Sequence, residues 1–120
     1  MKNADHTAGY ERLALLMQAL ASPVRLRILG MLARKSLCVK VIAADLAVSQ
    51  PAVSQHLRVL RQAGLVGGHK SGYYVHYRLD RQALRDCQAC LAELTEEPGP
   101  GSPASEACQQ RHCLPRKSEA

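Results

Sequence analysis

Four cysteine thiols in the last third of the chain form a pattern that suits a soft ion. Cys87 and Cys90 are three positions apart, so on a helix their side chains lie on one face. Cys108 and Cys113 follow in the C-terminal segment. Thiolates select soft ions such as copper(I), with zinc as a borderline case, and arsenite, antimonite and mercury(II) are suited by the same chemistry. Arsenite takes three sulfurs, whereas a structural zinc site takes four ligands.

The same thiols are open to two other interpretations. Cys-x-x-Cys pairs carry out redox chemistry in other proteins, so they also fit a sensor of oxidants or reactive sulfur. Alternatively, Cys87 simply packs in an interface and the two C-terminal cysteines are unstructured. Five cysteines among 120 residues are too sparse for a disulfide framework, and the count is odd. We therefore expect free thiols or ligands in a reducing cytoplasm.

A second group of side chains has the chemistry to contact base edges in duplex DNA. Glutamine can pair with adenine and arginine with guanine through two hydrogen bonds, and serine can donate to or accept from several base edges. These residue types occur close together at Gln50, Ser54, Gln55 and Arg58, with His56 beside them. Any amphipathic helix has a polar face, so this cluster needs the support of further observations.

The basic charge of the chain supplies one such observation. The sequence holds 16 Lys and Arg against 10 Asp and Glu, a net charge of +6, and no carboxylate occurs between Asp45 and Asp80. A surface without carboxylates suits the approach to phosphates, because one misplaced anion repels the DNA backbone. Lys70 lies in this interval within a short stretch of small and basic residues. The charge pattern therefore favours a nucleic-acid partner.

The hydrophobic pattern predicts five helices and one hairpin that position these side chains. Apolar residues repeat at helical spacing over 9–20. Ser22, Ser36, Ser49 and Asp80 are expected N-caps of the four later helices. The second helix is expected to end near residues 34–35, the third to contain Leu37, and the fourth to cover residues 50–63. Apolar and polar residues then alternate over 73–79, which predicts a β-hairpin with its turn near residues 70–72.

Two short helices joined by a brief turn and followed by a hairpin predict a winged helix-turn-helix fold, mainly α with a small β-hairpin. We expect a disordered N-terminal tail over 1–8, the folded domain over 9–97, and a flexible Pro- and Gly-rich tail with cysteines over 98–120. No apolar run approaches the roughly 18 residues of a membrane span, and no secretory signal is apparent. The chain has no phosphate-binding glycine loop or paired carboxylates, so we do not expect an enzyme.

Three segments of the chain resemble the ArsR/SmtB family of winged helix-turn-helix repressors, in particular its arsenic-responsive type. They are LALLMQALASPVRLRILGML, DLAVSQPAVSQHLRVLRQAGLV and GGHKSGYYVHYRLD, and the resemblance covers about residues 10–95. It implies a homodimer joined through the first and last helices, which binds double-stranded operator DNA and releases it when an inducer ion binds. Carried onto matching positions, it implies DNA contacts by Ser49, Gln50, Ser54, Gln55 and His56, supported by Arg58 and Lys70.

The resemblance also implies places for the inducer, and two of them match poorly. The family's Cys-Val-Cys box corresponds to Cys38-Val39-Lys40, where a lysine replaces the second thiolate. The family's zinc site on the last helix needs histidines, and none occurs from Asp80 to Glu96. We therefore expect arsenite, or else antimonite, mercury(II) or zinc, at Cys87, Cys90, Cys108 and Cys113. Constitutive DNA binding without an inducer remains a further alternative.

Overall fold

The computed structural model describes residues 7–97 and Gly99, and it confirms the predicted winged helix-turn-helix. The helices are α1 (Thr7–Leu20), α2 (Pro23–Leu32), α3 (Val39–Leu46), α4 (Gln50–Gln62) and α5 (Arg81–Leu94). The strands are β1 (Leu37–Cys38), β2 (Val66–Ser71) and β3 (Tyr74–Leu79). The predicted ligands Cys108 and Cys113 lie outside the described residues, as does most of the segment over 98–120. Helix α1 begins at Thr7, two residues before the predicted start.

Three of the four expected N-caps are confirmed. The side chains of Ser22, Ser49 and Asp80 each accept a backbone N–H from the first turn of the helix that follows. Asp80 accepts two, from Gln82 at 3.1 Å and from Ala83 at 3.2 Å. These bonds satisfy donors that have no partner within the helix, and each is worth about 1 kcal/mol.

The cap expected at Ser36 is wrong, because the two residues after it form a strand. Leu37 and Cys38 pair antiparallel with β3, opposite Tyr77 and His76. The sheet therefore has three strands in the order β1-β3-β2, and α3 begins only at Val39. Without β1, the edge of β3 that faces away from β2 would leave backbone N–H and C=O groups unpaired. Pairing with Leu37 and Cys38 satisfies some of these groups, whereas a helix capped by Ser36 would not.

The hairpin of β2 and β3 forms the wing, and its turn lies slightly later than expected. Ser71 pairs with Tyr74, so the two turn residues are Gly72 and Tyr73. Gly72 has φ +66°. A tight two-residue turn needs a positive φ at this first position, which glycine adopts without steric cost.

The core consists of aliphatic side chains from every helix, since the sequence lacks Phe and Trp. Its largest fully buried members are Leu16, Ile28, Ile42, Val53, Leu57, Leu60 and Leu65. In residues 7–97, no single helix is long and apolar enough to cross a membrane, although Gly9–Leu20 and Pro23–Leu32, bent by 94°, pass that test when taken together.

Candidate nucleic-acid interface

Helix α4 is held on the core by one face and exposes the opposite face to solvent. Val53, Leu57 and Leu60 are at most 1% exposed. Three predicted DNA-contacting residues, Ser54, Gln55 and Arg58, are exposed, and so is Gln50 in the first turn. With 13 residues, α4 is about 20 Å long, which is enough to lie along a major groove. The structure thus places these four side chains on an accessible surface of a helix whose other face is fixed by packing.

The turn between α3 and α4 fixes the angle between the two helices. Ala47 adopts the left-handed conformation with φ 56° and ψ 44°, and its N–H donates to Ala43 O. The next N–H, that of Val48, donates to the same carbonyl at 3.1 Å. A left-handed non-glycine residue costs about 1 kcal/mol, which the buried apolar face of α3 must offset. The sequence offered no glycine as a signal for this turn.

Ser49 has a local role that constrains how it can meet DNA. Its Oγ accepts the N–H of Ala52 at 3.2 Å and caps α4. Its hydroxyl hydrogen is still able to donate to a phosphate oxygen. The N-terminus of a helix also attracts anions through its free N–H groups and its dipole. A contact from Ser49 would therefore be to the DNA backbone, and it remains a prediction.

His56 differs from its neighbours because it is half-buried and takes part in a contact within the protein. The guanidinium of Arg25, in the first turn of α2, lies with Nη1 3.3 Å from His56 Nδ1. The Nε and Nη2 of Arg25 donate to the carbonyls of Ala19 and Gln18 at 2.6 and 3.3 Å. Sequence reasoning did not single out Arg25. The only hint in the sequence was that Arg25 is a charged residue in a densely apolar helix.

Two grooves connect α4 with the wing. One is lined by Ser54 and Arg58 of α4 together with Arg61, Gln62 and Tyr77. The other brings Gln50 next to Tyr73, Tyr74 and Val75 of the wing and the start of α3 at Cys38–Lys40. Among the residues that the structure describes, no carboxylate lines either groove, so none of them repels an approaching phosphate there. The structure therefore brings the exposed face of α4 and the wing together on one surface.

The tip of the wing is exposed and carries a lysine and a tyrosine. Lys70 is exposed on β2 opposite Val75. Tyr73, in the turn, is 97% exposed. The imidazole rings of His69 and His76 stack across the two strands with their centroids 6.0 Å apart. Lys70 lines neither groove, so its position is that of a peripheral cation, which suits a phosphate contact better than a base contact.

The predicted thiol ligands on α5 face inward. Cys87 is 5% exposed and belongs to the core, and Cys90 is half-buried against it. Cys38 is half-buried at the start of α3. In the part of the chain that the structure describes, no group of three or more His, Cys, Asp or Glu side chains could hold a metal ion. The described chain thus contributes two thiols to the predicted set of four.

Several exposed apolar side chains lie on α1 and α5. The largest are Tyr10, Leu15, Met17, Leu91 and Leu94, with exposed fractions from 38% to 62%. Apolar side chains exposed on two helices that pack against each other are typical of a surface that is covered by a partner. This is the surface that the expected dimer would bury.

The sequence of this chain is similar to those of known transcriptional regulators. The family model described as bacterial regulatory protein, arsR family, matches residues 22–67. The HTH-type transcriptional repressor SmtB of Mycobacterium tuberculosis is 48% identical over 53% of this chain, and the match spans only 47% of that protein. An HTH-type transcriptional regulator of Methanocaldococcus jannaschii is 35% identical over 71% of this chain and 97% of its own length.

Solved structures show the same fold. An ArsR-like transcriptional regulator from Rhodococcus sp. RHA1 superposes with a TM-score of 0.68 at 27% identity, over 88% of this chain and 91% of that one. A homodimeric winged helix-turn-helix DNA-binding domain from Mycobacterium bovis superposes with a TM-score of 0.64 at 23% identity, over 94% and 96%. The helices, the wing and their order are therefore shared with this group of structures.

Proposed function

The chain belongs to the ArsR family of bacterial transcriptional regulators, and from that premise we propose that it is a repressor that binds operator DNA as a homodimer and releases it when an inducer binds its thiols. The observation that carries the DNA-binding part is the surface formed by α4 and the wing. It exposes Gln50, Ser54, Gln55 and Arg58, and no carboxylate of residues 7–97 lines either of its grooves.

In the proposed complex, α4 lies in the major groove and serves as the recognition helix. Its exposed glutamines and arginine meet base edges, because these side chains can form two hydrogen bonds with one base. Ser49 and Lys70 meet phosphates, which fix the position of the helix but carry no sequence information. A dimer joined through α1 and α5 presents two recognition helices to half-sites about 34 Å apart, one turn of DNA.

Gln55→Ala is expected to weaken binding to the preferred operator by about 1–3 kcal/mol, because a side chain that reads one base is removed from the exposed face of α4. Binding to a duplex of unrelated sequence should hardly change. Fluorescence anisotropy with operator duplexes altered at single base pairs checks this, and the variant should lose discrimination at one position. Equal weakening on both duplexes would contradict a base-reading role.

Lys70→Ala is expected to weaken binding to operator and unrelated DNA alike, because the wing loses a phosphate contact. The slope of log K against log salt concentration should become shallower by about 1. Titrations over a range of KCl concentrations measure it. Lys35→Ala, an exposed lysine outside the α4 and wing surface, is the matched control. If the wild-type protein shows no salt-dependent DNA binding at all, the proposed function is wrong.

We further propose that the inducer is a thiophilic ion, with arsenite favoured, held by Cys87 and Cys90 and by sulfurs of the C-terminal segment. Cys87 is buried in the core, on α5, the helix that packs on α1. An ion can therefore reach this thiol only if α5 changes its packing. Such a change would alter the spacing of the two recognition helices, so the inducer would favour a dimer that cannot span both half-sites.

A sensor of oxidants or reactive sulfur is the second candidate for the same thiols. It is favoured by the spacing of Cys87 and Cys90, which lie three positions apart on α5, so that both thiols lie on one side of the helix. Two thiols suffice for a disulfide, whereas arsenite takes three sulfurs, and the third is assigned here to Cys108 or Cys113. The two candidates differ in what releases the DNA, which can be measured directly.

A further inference from the structure

We propose that Arg25 is a positioning residue, which sets the angle between α1 and α4 and orients His56 so that its Nε2–H donates to the DNA backbone. The inference rests on the proposed function, since it assigns a role within the DNA complex. Arg25 itself does not contact DNA, and the DNA contact of His56 is to a phosphate.

The guanidinium of Arg25 joins three helices. Its Nε donates to Ala19 O at 2.6 Å and its Nη2 to Gln18 O at 3.3 Å, both in the last turn of α1. Arg25 itself lies in the first turn of α2, where its N–H donates to the Ser22 cap at 3.3 Å. Its Nη1 reaches His56 Nδ1 on α4 at 3.3 Å. A cation is also favourable at the C-terminus of α1, where the helix dipole is negative.

The contact with Arg25 determines the tautomer of His56. Arginine has no acceptor, so Nη1 donates and Nδ1 must accept with its lone pair. The neutral imidazole then carries its hydrogen on Nε2. His56 is half-buried, and its only hydrogen-bond partner in the described residues is Arg25, at Nδ1. Within those residues, the only buried side-chain nitrogen or oxygen without a partner is His76 Nδ1, so the unpartnered Nε2 of His56 is not enclosed in the core. It is left as a donor on the recognition helix, next to the exposed Gln55.

The fork of the guanidinium is what makes these contacts possible. Arginine presents five N–H donors in a rigid plane, whereas lysine presents a single ammonium. Lysine at position 25 can keep the charge near α1 but cannot hold two carbonyls and an imidazole in a fixed arrangement. Because α1 belongs to the expected dimer interface and α4 to the DNA interface, the angle between them sets the distance between half-sites that the dimer fits.

The first test measures tolerance to half-site spacing. A palindromic duplex is selected in vitro with the wild-type protein, and derivatives carry one base pair more or less at the centre, a change of about 3.4 Å and about 35°. We expect the wild type to bind each derivative about tenfold or more weakly than the selected duplex, as for a mismatched base pair. For Arg25→Lys, this loss of affinity between the selected duplex and its derivatives should be about threefold or less. Arg27→Lys, an exposed arginine on the same helix, should behave like the wild type.

The second test separates the two nitrogens of His56. Asparagine can place its oxygen near the Nδ1 position, and glutamine reaches the Nε2 position. His56→Asn should keep the spacing preference but weaken binding to all duplexes by about threefold to tenfold, the effect of one lost hydrogen bond. His56→Gln should lose the spacing preference. Circular dichroism melts confirm that each variant is folded.

NMR of the imidazole nitrogens tests, without DNA, whether Arg25 fixes the tautomer of His56. In the wild type, the neutral imidazole of His56 should carry its hydrogen on Nε2, and Arg25→Met should remove this preference. An Nδ1–H tautomer in the wild type, or an unchanged spacing preference in Arg25→Lys, would overturn the inference. Absence of DNA binding by the wild type would instead overturn the proposed function, and the NMR result would still decide whether Arg25 sets the tautomer.

Discussion

Leu57→Ala should lower the free energy of unfolding by about 2–5 kcal/mol, because it removes a buried side chain from a core with little spare stability. Leu57 is 1% exposed and holds α4 on the core. Domains of this size are stable by only about 5–15 kcal/mol in total, so the loss should leave part of the protein unfolded at 37 °C. DNA binding should fall with the folded fraction.

Urea denaturation followed by circular dichroism measures this loss. Leu26→Ala is the matched control, because Leu26 is also a helical leucine but is 52% exposed, and its replacement should cost less than about 1 kcal/mol. If the two variants were equally stable, Leu57 would not be the side chain that fixes α4. If Leu57→Ala kept full stability but lost DNA binding, its role would lie in the interface and not in the core.

Combined replacement of Cys87 and Cys90 by serine is expected to abolish the response to the inducer. In the wild type under reducing conditions, arsenite should weaken operator binding by about 5–150-fold, which corresponds to a coupling free energy of about 1–3 kcal/mol. The double variant should bind operator with nearly wild-type affinity and ignore arsenite. Since Cys87 is buried, alanine replacements should be measured beside the serine variants to avoid a buried hydroxyl.

A control variant, a count of protected thiols and a test with other inducers accompany the double variant. Cys38→Ser, a half-buried thiol outside α5, should keep the full response. Mass spectrometry should count three thiols protected from alkylation by arsenite and four by zinc, and replacing Cys108 and Cys113 should reduce these counts. Release by an oxidant or a persulfide, without any effect of arsenite, would favour the redox candidate. If the double variant still released operator DNA on addition of arsenite, the inducer would bind at a site other than Cys87 and Cys90.

Much of the fold could be predicted from local sequence signals. Ser22, Ser49 and Asp80 were correct as caps because a capping side chain satisfies N–H groups only a few residues away. The exposed face of α4 followed from helical periodicity, since Val53, Leu57 and Leu60 recur on the opposite side. Family membership followed from the recognition-helix segment, and the family match over residues 22–67 confirms it. The DNA-contacting and thiol ligand residues remain predictions.

What the sequence missed depended on partners distant along the chain. Strand β1 forms because Leu37 meets Tyr77, forty residues later, at the edge of the wing. The contact of Arg25 with His56 joins two helices whose relative placement no local propensity encodes. The burial of Cys87, which decides how an inducer could reach it, follows from the packing of α5 on the core.

By itself, the sequence determined the order of the helices, the polar face of α4 and the basic charge near it, because each depends on residue types at short spacing. The tertiary structure alone decided which nitrogen of His56 is engaged, which thiols are enclosed, and which side chains line the grooves between α4 and the wing. Those properties arise when side chains from different elements compete for the same space and the same hydrogen bonds, and that competition takes place only in the packed molecule.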